Sequence, residues 1–223
     1  MAENTLRNSI VEFFGTMILL VSIVGSGFMA SELSDDSGVV LLTMAAVISL
    51  TLLVLIYVLM PVSGAFFNPA VVLLAVIKKE MKLAVAVSLV VAQILGAISG
   101  SLLANYFFTA QPIQTSNIDR ISSPVFVAEV LATFGLIFMI AIKKTLVAEA
   151  ALPFLIPAWI FAAIFFTSST AFANPAVTIA RYFTDSVSGI AISSVPWFIL
   201  AEVLGALLAV LAGRALLMKK LAA

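Results

Sequence analysis

Six stretches of this chain are each long and apolar enough to cross a lipid bilayer, and that leaves few folds open to it. They cover residues 10–30, 39–60, 83–108, 125–142, 146–166 and 195–217. A spanning helix needs about 20 apolar residues, and backbone inside hydrocarbon must satisfy its own hydrogen bonds. Two shorter apolar stretches, near 70–77 and 176–182, follow the second and fifth runs. They are too short to cross, so they read as segments that enter the membrane and turn back. With 63% hydrophobic and only 10% charged residues, no single soluble core could hide this apolar surface. The first run holds Glu12 and is followed by five more, so it reads as a transmembrane helix and not as a cleaved leader.

The absence of His and Cys excludes several chemistries. No imidazole or thiolate metal site, haem ligation, disulfide framework, or Ser-His-Asp or Cys-His nucleophile can be built. The sequence therefore implies no enzyme, cofactor or bound metal. Eleven basic residues balance eleven acidic ones, which speaks against a nucleic-acid partner. The basic residues are also unevenly placed. Arg7, Lys78, Lys79, Lys82, Lys143, Lys144, Arg214, Lys219 and Lys220 fall on one side of a six-span topology, and only Arg120 and Arg181 on the other. The first loop of that other side carries Glu32, Asp35 and Asp36. By the positive-inside rule both termini are expected in the cytoplasm.

The chain repeats itself. Asn68-Pro69-Ala70-Val71 recurs as Asn174-Pro175-Ala176-Val177. Upstream, Val11-Glu12-Phe13 is matched by Ala128-Glu129-Val130; downstream, Gln93-Ile94-Leu95-Gly96-Ala97 is matched by Glu202-Val203-Leu204-Gly205-Ala206. Each half, about 8–108 and about 124–218, holds three spans, so the second must lie inverted relative to the first. Inverted repeats place a transport site between the halves near the midplane. The expected organisation is one transmembrane domain over residues 1–223.

A single Asn-Pro-Ala is simply a good helix start, with Asn as N-cap and Pro at the first position. Two copies at matching places, each opening a run too short to span, predict more. Residues 68–78 and 174–184 make helices of roughly 16 Å at 1.5 Å per residue, about half of a ~30 Å hydrocarbon core. Entering from opposite faces, they would meet tip to tip and complete a seventh crossing. Helix N-termini carry unpaired N–H groups and an effective positive charge of about half a unit. The junction would oppose cations, while the Asn68 and Asn174 amides offer N–H donors to a neutral solute. The strands before each motif, 63–67 and 168–173, would line a wet cavity with carbonyl oxygens.

At these motifs, together with Glu12-Phe13-Phe14-Gly15-Thr16 and Ser63-Gly64-Ala65-Phe66-Phe67-Asn68-Pro69-Ala70-Val71, the chain resembles the aquaporin, or major intrinsic protein, family over essentially its whole length. The resemblance implies an all-α membrane protein of six transmembrane helices plus two re-entrant half-helices in an inverted three-helix repeat. It implies a homotetramer with one pore per subunit and passive passage of small uncharged solutes such as water and glycerol. It also implies that Glu12 and Glu129 are buried acceptors for loop N–H groups. A bacterial aquaglyceroporin-like member in the plasma membrane is the expected type.

The chain departs from the family pattern at the constriction. Where most members carry Arg after the second Asn-Pro-Ala, this chain has Val177, and the nearest Arg is Arg181, one turn on. Arg181 either lines the pore, or snorkels outward or pairs with Asp185. Family spacing assigns Ile48 from the second span, Ala162 or Ala163 from the fifth, and Ala171 or Phe172 from the loop. Phe66 replaces the usual His before the first motif, and no His stands in the fifth span. Such a ring is wider and less polar than a water-only filter, so glycerol, urea or undissociated hydroxy-metalloids such as arsenous acid are expected to pass. The Asn-Pro-Ala-Val-Thr-x-Ala-Arg form is also similar to a bacterial subgroup associated with arsenic handling.

Other readings carry their own signatures. A proton- or ion-coupled transporter would use Glu12, Glu129 or Glu202 as titrating groups inside the membrane. A junction scaffold would need large loops, and the longest is only about 109–124. Gly96-x-x-x-Gly100 and Gly205-x-x-x-Ala209-x-x-x-Gly213 read as close helix crossings. Trp159 and Trp197 read as interface anchors.

Overall fold

A computed structural model describes residues 4–109, 111–146 and 149–221, with the side chains of 143–146, 149 and 217–221 outside the described set. The ammonium groups of Lys143, Lys144, Lys219 and Lys220, used above for orientation, fall in that outside set. Eight α-helices follow in order among the described residues: α1 (Thr5–Leu33), α2 (Ser37–Ser63), α3 (Pro69–Ile77), α4 (Leu83–Thr109), α5 (Ser123–Leu146), α6 (Leu152–Phe166), α7 (Pro175–Ala180) and α8 (Val195–Leu221). Five of them (α1, α2, α4, α5 and α8) are long and apolar enough to span a bilayer.

Local signals fix the helix ends. The Asp36 carboxylate accepts from the Gly38 and Val39 N–H groups at 2.8 and 3.0 Å and caps α2. Gly64 ends the same helix in the left-handed region, φ +95°, where a side chain would be strained. The fifth apolar run does not begin its helix at residue 146. Leu146 is the last residue of α5, and α6 starts at Leu152, after a 3-10 turn over Glu149–Ala151. Pro153 explains the boundary, since proline is tolerated in the first turn of a helix and not further in. At 15 residues, α6 is about 22 Å long.

The same pairings occur in both halves. α1 lies along α4 and α5 along α8; α1 also packs on α2 and α5 on α6; each half-helix rests on the long helix that follows it, α3 on α4 and α7 on α8. Glycines permit the close approach. A Cβ on Gly96 would collide with the Phe13 carbonyl, one on Gly100 with the Met17 carbonyl, and one on Gly205 with the Val130 carbonyl. These are backbone contacts, so nothing can swing aside.

Trp159 is not an interface anchor. Its indole sits where a Cβ on Gly135 would be, and its Nε1 donates to the Ala132 carbonyl at 2.9 Å, tying α6 to α5. Trp197, by contrast, is exposed near the start of α8, edge-on to Phe126.

Gly96→Val should therefore lower the thermal unfolding midpoint in detergent markedly, since overpacking against fixed backbone costs about 1–3 kcal/mol or more. Gly25→Ala, whose added Cβ meets only the Phe108 ring at 3.4 Å, should shift it within about 0.5 kcal/mol. Equal shifts would refute the assignment of Gly96 to a backbone crossing.

Candidate functional site

The two half-helices start against each other. The Asn68 side-chain oxygen accepts from the Ala70 N–H at 2.8 Å and so caps α3. The Asn174 oxygen accepts from the Ala176 and Val177 N–H groups at 3.0 and 3.4 Å and caps α7. Each amide nitrogen then reaches across. Asn68 Nδ2 donates to the Ala173 carbonyl at 2.7 Å, and Asn174 Nδ2 donates to the Phe67 carbonyl at 2.8 Å. The acceptor in each case is the residue just before the opposite asparagine. This reciprocal pair uses one N–H of each amide, and the other remains.

The strands that deliver the asparagines are bent into the left-handed region. Gly64, Ala65 and Phe67 have φ of +95°, +48° and +48°; Thr170, Ala171 and Ala173 have +60°, +48° and +48°. Such turns gather successive N–H groups into a concavity that suits an anion, and a buried carboxylate fills each one. Glu12 accepts from the Phe66 N–H at 3.0 Å, the Phe67 N–H at 2.6 Å, the Ser63 hydroxyl at 2.8 Å and the Gln93 amide at 2.8 Å. Glu129 accepts from the Phe172 N–H at 3.2 Å and from the Ala173 N–H. Glu202 accepts from the Asn174 N–H at 3.0 Å and the Thr178 hydroxyl at 2.7 Å. All three carboxylates are fully buried.

The half-helices differ in length. α3 has nine residues; α7 has only six and tightens into a 3-10 turn at Arg181–Phe183, so neither reaches the full length expected of residues 68–78 and 174–184. The carbonyls left open at the end of α7 have fixed partners. Ser101 Oγ donates to Ala180 O at 2.9 Å, Asn105 Nδ2 to Phe183 O at 2.7 Å, and the Ser116 N–H to Tyr182 O at 2.9 Å.

One cavity of about 390 Å³ connects these parts. It extends from Lys78 and Glu80, an ion pair at 3.5 Å, past Asn68 and Asn174 to Phe172 and Arg181. Ile48, Ala171, Val177 and Phe66 stand on its wall. Neither alanine assigned from the fifth span does. Ala162 is exposed on the outer face of α6, and Ala163 is buried away from the cavity. The wall from α6 is the stripe Leu152, Ile156, Ile160 and Ile164, spaced four apart on one helix face, and Ala162 lies on the opposite side of that turn. Pro69, Pro175, Ala70 and Ala176 form the first turns of the half-helices; Ala70, Ala176 and Pro175 are buried.

Arg181 is buried and faces the cavity. Its Nε donates to the Ser188 carbonyl, and its guanidinium lies 3.4 Å from the centroid of the Phe172 ring. No ion pair with Asp185 forms among the described residues. Arg120, from the loop after α4, sits 5.5 Å from the same ring centroid, held by Nε to Gly189 O at 2.9 Å and by its own N–H to Ser194 Oγ at 2.9 Å. Asp119 beside it accepts from Ser194 Oγ at 2.7 Å, which keeps its carboxyl below the usual carboxylate range.

Sequence reasoning overlooked the parts played by Arg120, Ser63, Gln93, Thr178 and the α6 isoleucines. Gln93 and Glu202 did carry a signal, since they occupy matching places in the repeat; Gln93 supports the loop-binding Glu12, and Glu202 takes the Asn174 N–H directly. Arg120 carried none beyond its charge.

Glu129→Leu would leave two buried N–H groups unpaired at about 1–3 kcal/mol each. It should lower both the unfolding midpoint and solute permeability in liposomes. Glu129→Gln, which keeps one acceptor oxygen, should lose less of both. A Leu variant as stable and permeable as wild type would show that the carboxylate does not hold the loop.

Comparison with known proteins matches this geometry to a family. A family model described as Major intrinsic protein matches residues 2–170. The chain is 39% identical over 203 residues to the aquaglyceroporin AqpS of Rhizobium meliloti (strain 1021), covering 91% of this chain and 87% of that one. It is 27% identical over 188 residues to a probable aquaporin of TIP type from Medicago truncatula, covering 78% and 74% of the two chains. In fold it is similar to the crystal structure of the aquaglyceroporin from Plasmodium falciparum, with a TM-score of 0.69, 94% of each chain covered and 21% identity. With the paired asparagine junction and its cavity, these likenesses make the chain an integral membrane protein of the major intrinsic protein family.

Proposed function

We propose that this chain is a passive channel whose filter admits uncharged solutes larger than water, glycerol and undissociated hydroxy acids among them. The observation that carries the reading is the cavity bordered by both capping asparagines and walled mainly by apolar side chains, Ile and Leu the most frequent. The N–H groups of Phe66, Phe67, Phe172 and Ala173 turn away to Glu12 and Glu129. What this backbone offers a solute is carbonyl oxygen, an acceptor for hydroxyl protons. The asparagine amides supply donors, and the apolar wall accommodates the carbon skeleton. At the Arg181 end, Ile48, Ile164, Ala171 and Phe172 present no polar side chain, so Arg181 is the one charged donor in the proposed filter.

Exclusion of cations and protons follows from the two helix N-termini that meet at the asparagines. The coupled-transporter alternative is not favoured. It would use Glu12, Glu129 or Glu202 as titrating groups in the conduit, and all three lie behind the cavity wall, engaged by backbone N–H groups and side chains. The relative named an aquaglyceroporin supports glycerol as a solute; arsenous acid rests on its likeness to a small neutral polyol. The cavity lies within one chain, so in the homotetramer expected from the family each subunit has its own pore. The Lys/Arg distribution supports cytoplasmic termini, and the bacterial relative supports a plasma-membrane location.

Purified protein in liposomes, followed by stopped-flow light scattering, tests this. Glycerol and water should both cross faster than in empty liposomes, with no dependence on an imposed pH gradient. Gradient-driven accumulation above equilibrium would overturn the channel reading. Arg181→Ala should raise glycerol permeability relative to water, and an unchanged ratio removes Arg181 from the filter. Ile48→Trp should suppress glycerol more than water; equal losses would count against a wide filter.

A further inference from the structure

A second cavity, of about 320 Å³, opens between the end of α3, the late turns of α5 and the last turns of α8. Its upper rim is cationic. Lys78, Lys79 and Arg214 all line it. Lys78 is engaged, since its Nζ donates to the Ala141 carbonyl of α5 at 3.3 Å and pairs with Glu80 at 3.5 Å. The Lys79 and Arg214 side chains are not: neither makes a hydrogen bond or ion pair among the described residues, and both are exposed. Below this rim the walls are apolar, formed by Leu74, Ile77, Ala141, Val210 and Gly213. Two uncommitted cations beside an apolar cleft, near the ends of two apolar runs, are matched by an amphiphile with an anionic head and a hydrocarbon tail.

We infer that this cleft binds an anionic phospholipid. The phosphate lies between Lys79 and Arg214, and the upper part of one acyl chain lies against Leu74, Ile77 and Val210. Basic recesses between membrane helices suit lipid head groups in this way, and each Lys or Arg near a membrane surface contributes about 1 kcal/mol toward an anionic lipid. A free phosphate would use the cations alone and leave the apolar walls uncovered, so the lipid is the better fit to the whole cleft. The bound lipid bridges α3 to α8, and α3 is the half-helix that carries Asn68. The site therefore links membrane composition to the fixing of one half-helix, whatever solute the central cavity conducts.

Native mass spectrometry of the delipidated full chain in detergent tests this, by titration with dioleoyl phosphatidylglycerol and with dioleoyl phosphatidylcholine. Wild type should bind the first phosphatidylglycerol about tenfold or more tighter than phosphatidylcholine. The double variant Lys79→Gln/Arg214→Gln should lose most of that preference. Arg7→Gln, a basic residue at the start of α1 and away from the cleft, should keep it. Equal affinity of wild type for the two lipids, or an undiminished preference in the double variant, would overturn the proposal. So would displacement of the lipid by millimolar inorganic phosphate, which would mark a small-anion site.

Discussion

Backbone held in the left-handed region at membrane depth is the constraint on which the rest depends. A non-glycine residue there costs on the order of 1–3 kcal/mol, and Ala65, Phe67, Thr170, Ala171 and Ala173 all adopt it. Leaving a buried backbone N–H without an acceptor costs an amount of the same order, about 1–3 kcal/mol. Glu12 and Glu129 each collect two such N–H groups. These carboxylates offset the strain, and the Ser63 and Ser169 hydroxyls add to this by accepting from the Ala65 and Ala171 N–H groups. Gly15 contributes by omission, because the Phe67 ring lies where its Cβ would be. α1 thus both anchors the first strand and makes room for it.

From that anchoring follows the junction. Each asparagine has its carbonyl oxygen committed to its own helix and one N–H committed to the opposite strand. The arrangement leaves little freedom in where the two tips sit. The same principle extends to the far end of α7, where Ser101, Asn105 and Ser116 take up carbonyls that a six-residue helix cannot satisfy internally. Arg181 is placed by that stub. Because α7 ends immediately before it and tightens into a 3-10 turn, the guanidinium lies over the Phe172 ring at the cavity wall.

Much of this was legible in the residues. Run length gave the crossings, and the repeated Asn-Pro-Ala gave the half-helices and their inversion, because capping chemistry and helix length are local. The resemblance supplied the roles of Glu12 and Glu129, which periodicity alone would leave as suspect charges. What spacing could not give was rotation about an axis. The count from family spacing landed on Ala162 and Ala163, whereas α6 turns Ile160 and Ile164 inward. The helix begins six residues later than its apolar run, with a proline in its first turn, and hydropathy carries no mark of which face looks in. Trp159 shows the same limit: its partner is Gly135, 24 residues away in a different helix, and nothing near it in sequence announces that. Arg120 reached the site only through a loop whose path depends on Ser194 and Gly189.

The crossed amide bonds also bear on how the protein comes to exist. When the ribosome has released only the first three crossings, the Asn68 amide and the Phe67 carbonyl have no counterparts, because Ala173 and Asn174 are more than a hundred residues downstream. A nascent chain at that stage carries a re-entrant segment whose polar tip must be hydrated or sheltered by the insertion machinery. Neither half is a self-sufficient building block. The junction is complete only when the second stub is present and the two asparagines bond across it.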